Sequence, residues 1–143
     1  MMSSFLFPIF ASGAILLGTL STSADTTTNE RSSRVASPGI RKVGVEEFEK
    51  LWKAKTNVVL DVRTRKEFDA GHIPGAKNLD VNQPDFEKKA STLDKDKVYL
   101  VHCAAGVRSA RACDKLHGLG FQNLIDLAPG FKAWQKAGKQ VEK

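Results

Sequence analysis

The chain has 143 residues, of which 41% are apolar and 27% are charged, and this size fits one globular domain rather than two. Its formal net charge is +6, but the lysines and arginines are spread from Arg31 to Lys143 with no dense basic run. The charge therefore predicts a solvated basic surface that attracts small anions, and it argues against nucleic-acid binding.

The first 24 residues predict an export signal. They contain no charged side chain, and an apolar run from Phe5 to Leu20 precedes four small residues that end at Ala24. This pattern is typical of a secretory signal peptide cleaved after Ala24. An uncleaved anchor is the alternative, but the run is about 16 residues long, short of the roughly 20 that span a bilayer. We expect an exported protein, periplasmic or secreted, without stable membrane insertion.

A polar stretch separates this signal from the expected domain. Residues 25–38 are rich in Thr, Ser and Asn and end at Pro38, which predicts a disordered linker. We assign residues 39–141 to one folded domain that begins near Ile40. Its first predicted element is a helix, because apolar residues recur there at helical spacing. These residues are Val45, Phe48, Leu51 and Trp52.

Three apolar runs predict buried strands. Val58–Leu60 leads into Asp61, Val98–Val101 leads into Cys103, and Leu124–Leu127 follows later in the chain. Amphipathic helices are predicted after the second and third of these strands. The first of these two helices carries Val107, Ala110, Cys113 and Leu116 and ends near Gly118 to Gly120, and the second carries Phe131, Trp134 and Ala137 between Pro129-Gly130 and Gly138.

Strands that alternate with helices predict an α/β domain with a small parallel sheet and helices on both faces, because parallel neighbours need crossover helices. Ligands of such sheets bind beyond the carboxyl ends of the strands. Asp61 and Cys103 both lie at such ends.

The segment from Cys103 to Ser109, here called the Cys103 loop, predicts an anion cradle around a reactive thiol. Its small residues Ala104, Ala105 and Gly106 allow the backbone to curl so that amide hydrogens point inward, and Val107 begins a helix whose positive end adds to them. These dipoles and the Arg108 guanidinium favour a thiolate at Cys103. The same donors would bind an oxyanion, for which the planar, multidentate Arg108 suits a sulfonate or thiosulfate group.

The second cysteine, Cys113, is expected to pack in the core. The two cysteines are separated by the rest of the loop and about two turns of helix, so their Cα atoms lie beyond the ~7 Å that a disulfide allows. Cys103 should therefore be a free thiol in an oxidising compartment, a state that favours a reactive role.

Three ordered segments resemble the rhodanese family, over about Ile40 to Gly138. Asp61-Val62-Arg63, Glu67-Phe68 and Gly71-His72-Ile73-Pro74-Gly75-Ala76 are similar to its first signature. The Cys103 loop resembles its active-site loop. Leu127, Gly130 and Trp134 resemble its closing signature, with Pro129 where a glycine is commoner.

The resemblance implies a sulfurtransferase. Cys103 would take a sulfane sulfur from a donor, hold it as a persulfide among the amides of Ala104 to Val107, and pass it to a thiol or cyanide. Arg108 would bind the anionic group of the donor. Thiosulfate is the first candidate donor, followed by a polysulfide and by the persulfide of a partner protein.

The remaining polar residues of the signatures are expected to be structural. Asp61, Arg63, Glu67 and His72 would supply a capping carboxylate, an internal ion pair and a turn at the sheet edge. His102, one position before the nucleophile, should point to the opposite face of the sheet. No metal-ligand spacing is visible, so neither a metal nor an organic cofactor is expected.

Two other functions fit parts of the pattern. Cysteine phosphatases and arsenate reductases also place a Cys and an Arg around an oxyanion, but they resemble Cys, five residues, Arg, whereas four residues separate Cys103 from Arg108. A tighter loop suits one sulfur atom better than a phosphoryl group. A non-catalytic binding or regulatory module is the second alternative, although such domains often lack the nucleophile.

Overall fold

The computed structural model describes residues 39–143. The predicted signal peptide (1–24) and linker (25–38) lie outside the described residues. Five strands and five helices follow one another in the described chain. They are β1 Ile40–Val43, α1 Val45–Lys53, β2 Val58–Asp61, α2 Arg65–Ala70, β3 Lys77–Asn78, α3 Phe86–Ala90, β4 Tyr99–His102, α4 Val107–Gly118, β5 Leu124–Leu127 and α5 Gly130–Lys136.

The strands form one parallel sheet in the order β1-β5-β4-β2-β3. All four residues of β4 and of β5 are buried, as expected for strands covered on both faces. Because β4 is the middle strand, the Cys103 loop that follows it lies at the centre of the carboxyl edge. The ends of β2 and β5 flank this loop, since Asp61 pairs with His102 and Asp126 pairs with Val101.

Two apolar cores confirm the prediction of helices on both faces. One face packs α3 and α4 against the sheet through a set that includes Phe86, Ala90, Ala112, Cys113 and Leu116. The other face packs α1 and α5 through a set that includes Phe48, Trp52, Phe131 and Trp134. Burying these aromatic rings stabilises the domain by about 1.5–3 kcal/mol for each fully covered side chain.

Local sequence explains how two of the helices begin. α1 has Glu46 and Glu47 in its first turn and Lys50 and Lys53 near its end, an order that complements the helix dipole. Thr64 caps α2 in a reciprocal box, in which its hydroxyl accepts from the Glu67 amide and the Glu67 carboxylate accepts from the Thr64 amide. The box fixes the position of Glu67.

The predicted helices α1, α4 and α5 and strands β2, β4 and β5 are confirmed. The sequence analysis did not predict β1, α2, β3 and α3, which are at most six residues long. β1 has two charged residues between its apolar ends, β3 has only two residues, and α2 and α3 have too few apolar positions to show a period. Among residues 39–143, no helix has the length and apolar content needed to cross a bilayer.

Candidate active site

Cys103 directly follows β4, and its sulfur lies inside the turn made by the Cys103 loop. The residue is 1% exposed. Its Sγ accepts a hydrogen bond from the Gly106 amide at 3.1 Å. At least one amide of the loop therefore points at the sulfur, as the sequence predicted.

The curl of the loop depends on two glycines. Gly106 has φ +96°, in the left-handed region, and a Cβ at this position would collide with the carbonyl oxygen of Ala128. Gly130, at the start of α5, has φ +73°, and a Cβ there would lie 2.5 Å from the carbonyl oxygen of Ala104. The loop and the start of α5 thus approach each other more closely than any side chain would allow.

The start of α5 also binds the loop through its amides. Phe131 donates its amide to the carbonyl of Cys103 at 2.7 Å, and Lys132 donates to the carbonyl of Ala104 at 3.0 Å. The C=O and N–H of a trans peptide unit point in opposite directions. The amides of Ala104 and Ala105 consequently point away from α5, and no hydrogen bond within residues 39–143 uses them. They are free to bind an anion.

The other predicted binding residues lie around the mouth of the loop. Ala105 and Val107 are exposed, with 80% of Val107 accessible to solvent, whereas Ala104, Gly106 and Arg108 are half-buried. The surface around the sulfur is therefore made of partly exposed backbone and one exposed apolar side chain.

The Arg108 guanidinium forms a two-pronged ion pair with Glu67. Its Nη1 and Nη2 each donate to one carboxylate oxygen of Glu67 at 2.8 Å. Hydrogen bonds from Arg108, ahead of those from Thr64, lower the pKa of Glu67 to about 2, so the carboxylate is charged at any physiological pH. The same pairing raises the pKa of Arg108. Glu67, which the sequence analysis expected to be structural, therefore contacts the predicted substrate-binding arginine.

A buried ion pair, Asp61–Arg63, lies beside the loop. Arg63 binds the Asp61 carboxylate, with Nη2 to Oδ2 at 2.6 Å, and donates to the carbonyl of Gly71 at 2.8 Å. Its guanidinium lies 4.1 Å above the ring of Phe131, the residue whose amide binds Cys103. The predicted internal ion pair is therefore present beside the loop.

His102 points away from Cys103 and packs between Phe48 and Phe131, as predicted. It is fully buried, and its Nε2 lies 3.6 Å from Oδ2 of Asp61. Burial, opposed by the Asp61 charge, lowers the pKa of His102 to about 4, so the ring is neutral near pH 7. His72 lies in the turn after α2, where Nδ1 is 2.9 Å from the Phe68 carbonyl oxygen.

Cys113 has no access to the loop. It is fully buried in the α4 core, and burial strongly raises the pKa of its thiol. Both cysteines are free thiols, as the predicted spacing required. Within the described part of the chain, no three His, Cys, Asp or Glu side chains form a group suited to a metal ion.

The family model of the rhodanese-like domain matches residues 44–137, which include β2, the Cys103 loop and α5. The chain belongs to the rhodanese-like domain family. The match lies inside the predicted domain, residues 39–141. This confirms the resemblance that the three signatures indicated.

Relatives of this rhodanese-like domain include named sulfur proteins. The chain is 31% identical to the thiosulfate sulfurtransferase GlpE of Shewanella oneidensis over 97 residues, which cover 68% of this chain and 94% of that protein. It is 33% identical to the putative sulfur carrier protein YrkF of Bacillus subtilis over 107 residues, 73% of this chain and 56% of that protein. It spans 53% to 59% of the length of several curated relatives.

A solved structure has the same fold. The rhodanese-related protein of Thermoplasma volcanium superposes with a TM-score of 0.64 at 31% identity, covering 71% of this chain and 97% of that one. The five-stranded parallel sheet described above is thus the rhodanese-like fold.

The structure brings Cys103 and the backbone of Ala104 to Val107 into one turn of this rhodanese-like domain, but it directs Arg108 toward Glu67. Sequence reasoning missed the contacts of Glu67 and Phe131 with this site. The Thr64-x-x-Glu67 spacing could have predicted the start of α2. No local signal could show that α2 lies beside Arg108, because the two partners are 41 residues apart.

Proposed function

We propose that this rhodanese-like domain is a sulfurtransferase in which Cys103 carries a sulfane sulfur as a persulfide. The observation that supports this most strongly is the position of Sγ inside a turn of small residues, 3.1 Å from the Gly106 amide. The free amides of Ala104 and Ala105 add donors for the negative charge of a persulfide. The names of relatives such as GlpE point to the same chemistry.

The reaction has two steps. The Cys103 thiolate attacks the outer sulfur of a donor, the donor's S–S bond breaks, and the leaving group departs with the bonding electrons. A thiol or cyanide then attacks the outer sulfur of the Cys103 persulfide and regenerates the thiolate. Because Cys103 is 1% exposed, we expect a single terminal sulfur atom to reach it more readily than a bulkier phosphoryl group.

Intact mass spectrometry tests the proposal directly. Exposure to thiosulfate, a polysulfide or a thiol persulfide should add one sulfur, about 32 Da, and cyanide should remove it. Cys103→Ser should abolish both the added mass and thiocyanate formation. Cys113→Ala is the matched control, since it removes the other buried thiol and should leave loading intact. Sulfur that still loads on Cys103→Ser would refute the proposed nucleophile.

The burial of Cys103 also favours one alternative, a non-catalytic binding module. In that case no donor would load sulfur on the wild-type protein, and thiocyanate formation would match that of Cys103→Ser. Slow alkylation of the native thiol by iodoacetamide, together with absent loading, would support this alternative.

We further propose that the domain acts outside the cytoplasm on a small sulfur-containing anion or persulfide, with a thiol, cyanide or a partner protein as acceptor. The location rests on the predicted signal peptide, residues 1–24. Edman sequencing of the protein recovered from an extracytoplasmic fraction should begin at Asp25. A start at Met1 in the cytoplasmic fraction would contradict export.

A further inference from the structure

The Glu67–Arg108 pair is fixed before any donor arrives. Both terminal nitrogens of Arg108 donate to Glu67, and Thr64 holds the carboxylate through its amide at 3.0 Å and its hydroxyl at 2.9 Å. The Arg108 side chain is 26% exposed and that of Glu67 is 35% exposed, so the pair lies at the surface, and Arg108 is in the first turn of the helix that follows the loop.

This arrangement changes the charge that a donor meets. A free Arg108 would present one positive charge and a two-pronged donor to an anion. Paired with Glu67 it presents little net charge, and an anion must compete with a carboxylate that is already bound.

Thiosulfate and thiol persulfides differ in the negative charge that they bring to the loop. Thiosulfate carries two negative charges, so its reaction with the Cys103 thiolate gathers three charges in the loop and ends as a charged persulfide and a sulfite dianion. A thiol persulfide, R–S–SH, reacts differently: the thiolate attacks the outer sulfur, the S–S bond breaks, and R–S⁻ leaves while Cys103–S–SH keeps the proton. This reaction involves a single negative charge throughout, which the loop amides can hold without a free guanidinium.

We propose that Glu67 is a specificity-determining residue, which neutralises Arg108 and thereby directs the Cys103 loop toward thiol persulfides and away from doubly charged donors such as thiosulfate. This inference rests on the proposed sulfurtransferase function. It reverses the order of donors that the sequence suggested, because the sequence placed Arg108 near the nucleophile without its carboxylate partner.

Steady-state kinetics with two donors test the role of Glu67. The probes are thiosulfate and the persulfide of 2-mercaptoethanol, an uncharged thiol, with cyanide as acceptor. In the wild-type protein, kcat/KM for the persulfide should exceed that for thiosulfate by at least about tenfold. Glu67→Gln should lower the KM for thiosulfate by about threefold to tenfold with little change in kcat, and the persulfide constants should stay within about twofold.

The variant is chosen to keep the fold. Glutamine still completes the capping box with Thr64, so α2 should begin at the same residue while the charge on Arg108 is released. Asp69→Asn is the matched control: it removes one negative charge from the same helix, but Asp69 pairs with Arg65 at 2.8 Å. The control should change the thiosulfate KM by less than about twofold.

Arg108→Gln gives an independent measurement that does not depend on the Glu67 variant. It leaves the Glu67 carboxylate facing the donor without a partner, so the thiosulfate KM should rise at least about tenfold and by a larger factor than the persulfide KM. Persulfidated serum albumin, used as a third donor, shows whether the preferred persulfide is carried by a protein or by a small thiol. Transfer from either carrier supports the inference.

Several results would overturn the inference. A wild-type protein that prefers thiosulfate, an unchanged thiosulfate KM in Glu67→Gln, or an equal drop in Asp69→Asn would each do so. These failures differ from failure of the proposed function, in which no donor adds sulfur to Cys103 at all.

Discussion

Two arginine–carboxylate pairs lie near the Cys103 loop, and their surroundings differ sharply. In the Asp61–Arg63 pair the side chains are 0% and 5% exposed, and in the Glu67–Arg108 pair they are 35% and 26% exposed. Arg63 has further fixed partners in the Gly71 carbonyl and the Phe131 ring. Arg108 faces solvent on its free side. We therefore expect the buried pair to matter for the stability of the fold and the exposed pair for the charge at the loop.

The largest expected effect concerns the buried Asp61–Arg63 pair. Asp61→Asn leaves the buried Arg63 charge without its counter-ion, which should lower the free energy of unfolding by about 3–5 kcal/mol in urea titrations. Asp61→Asn with Arg63→Met removes both charges and should be more stable than Asp61→Asn alone. If the double variant is the less stable of the two, hydrogen bonds rather than charge balance dominate this pair.

A second prediction tests the burial of His102, which lies beside Asp61. Burial lowers the pKa of His102 from its ordinary value of 6.5 to about 4. Between these values the unfolded chain binds a proton that the folded protein does not, so stability should fall as the pH drops from 6.5 to 4. The slope should be at most about 1.4 kcal/mol per pH unit. His102→Gln should lose this slope in urea titrations repeated across that pH range. An unchanged slope in His102→Gln would mean that other groups cause the pH dependence of stability.

A smaller effect on stability is expected for the partly exposed Glu67–Arg108 pair. Glu67→Gln should lower the free energy of unfolding by less than about 1 kcal/mol, because water screens a partly exposed pair. The pKa of Glu67 is lowered from 4.5 to about 2, so its contribution is complete above pH 4.5 and is lost as the pH falls toward 2. The difference in unfolding free energy between wild type and variant should therefore be constant from pH 5 to 8. A loss of unfolding free energy above about 3 kcal/mol would mean that the Glu67–Arg108 pair behaves like the buried pair.

The smallest effect is expected for a third pair, Arg65–Asp69, whose side chains are 74% and 55% exposed. Asp69→Asn should change the free energy of unfolding by at most about 0.5 kcal/mol. A larger loss would mean that exposure does not rank these three pairs.

The sequence predicted much of the fold because several elements are encoded by the pattern of their own residues. The helical spacing of Phe48 and Trp52 and the apolar run of β4 are properties of adjacent residues, and each predicted the element correctly. The two-residue period of a strand also placed His102 and Cys103 on opposite faces. The short elements α2, β3 and α3 were missed, since α2 begins at a capping box, β3 is two residues paired with β2, and α3 has only two buried residues.

The sequence by itself determined that Cys103 follows a buried strand in a turn of small residues, because strand, loop and helix are contiguous in the chain. Only the tertiary structure decided what surrounds that turn. Gly106 packs on the Ala128 carbonyl, Phe131 donates to Cys103, and Glu67 occupies Arg108. These partners are distant in sequence and meet only when the chain folds, so no local pattern of residues specifies their contacts.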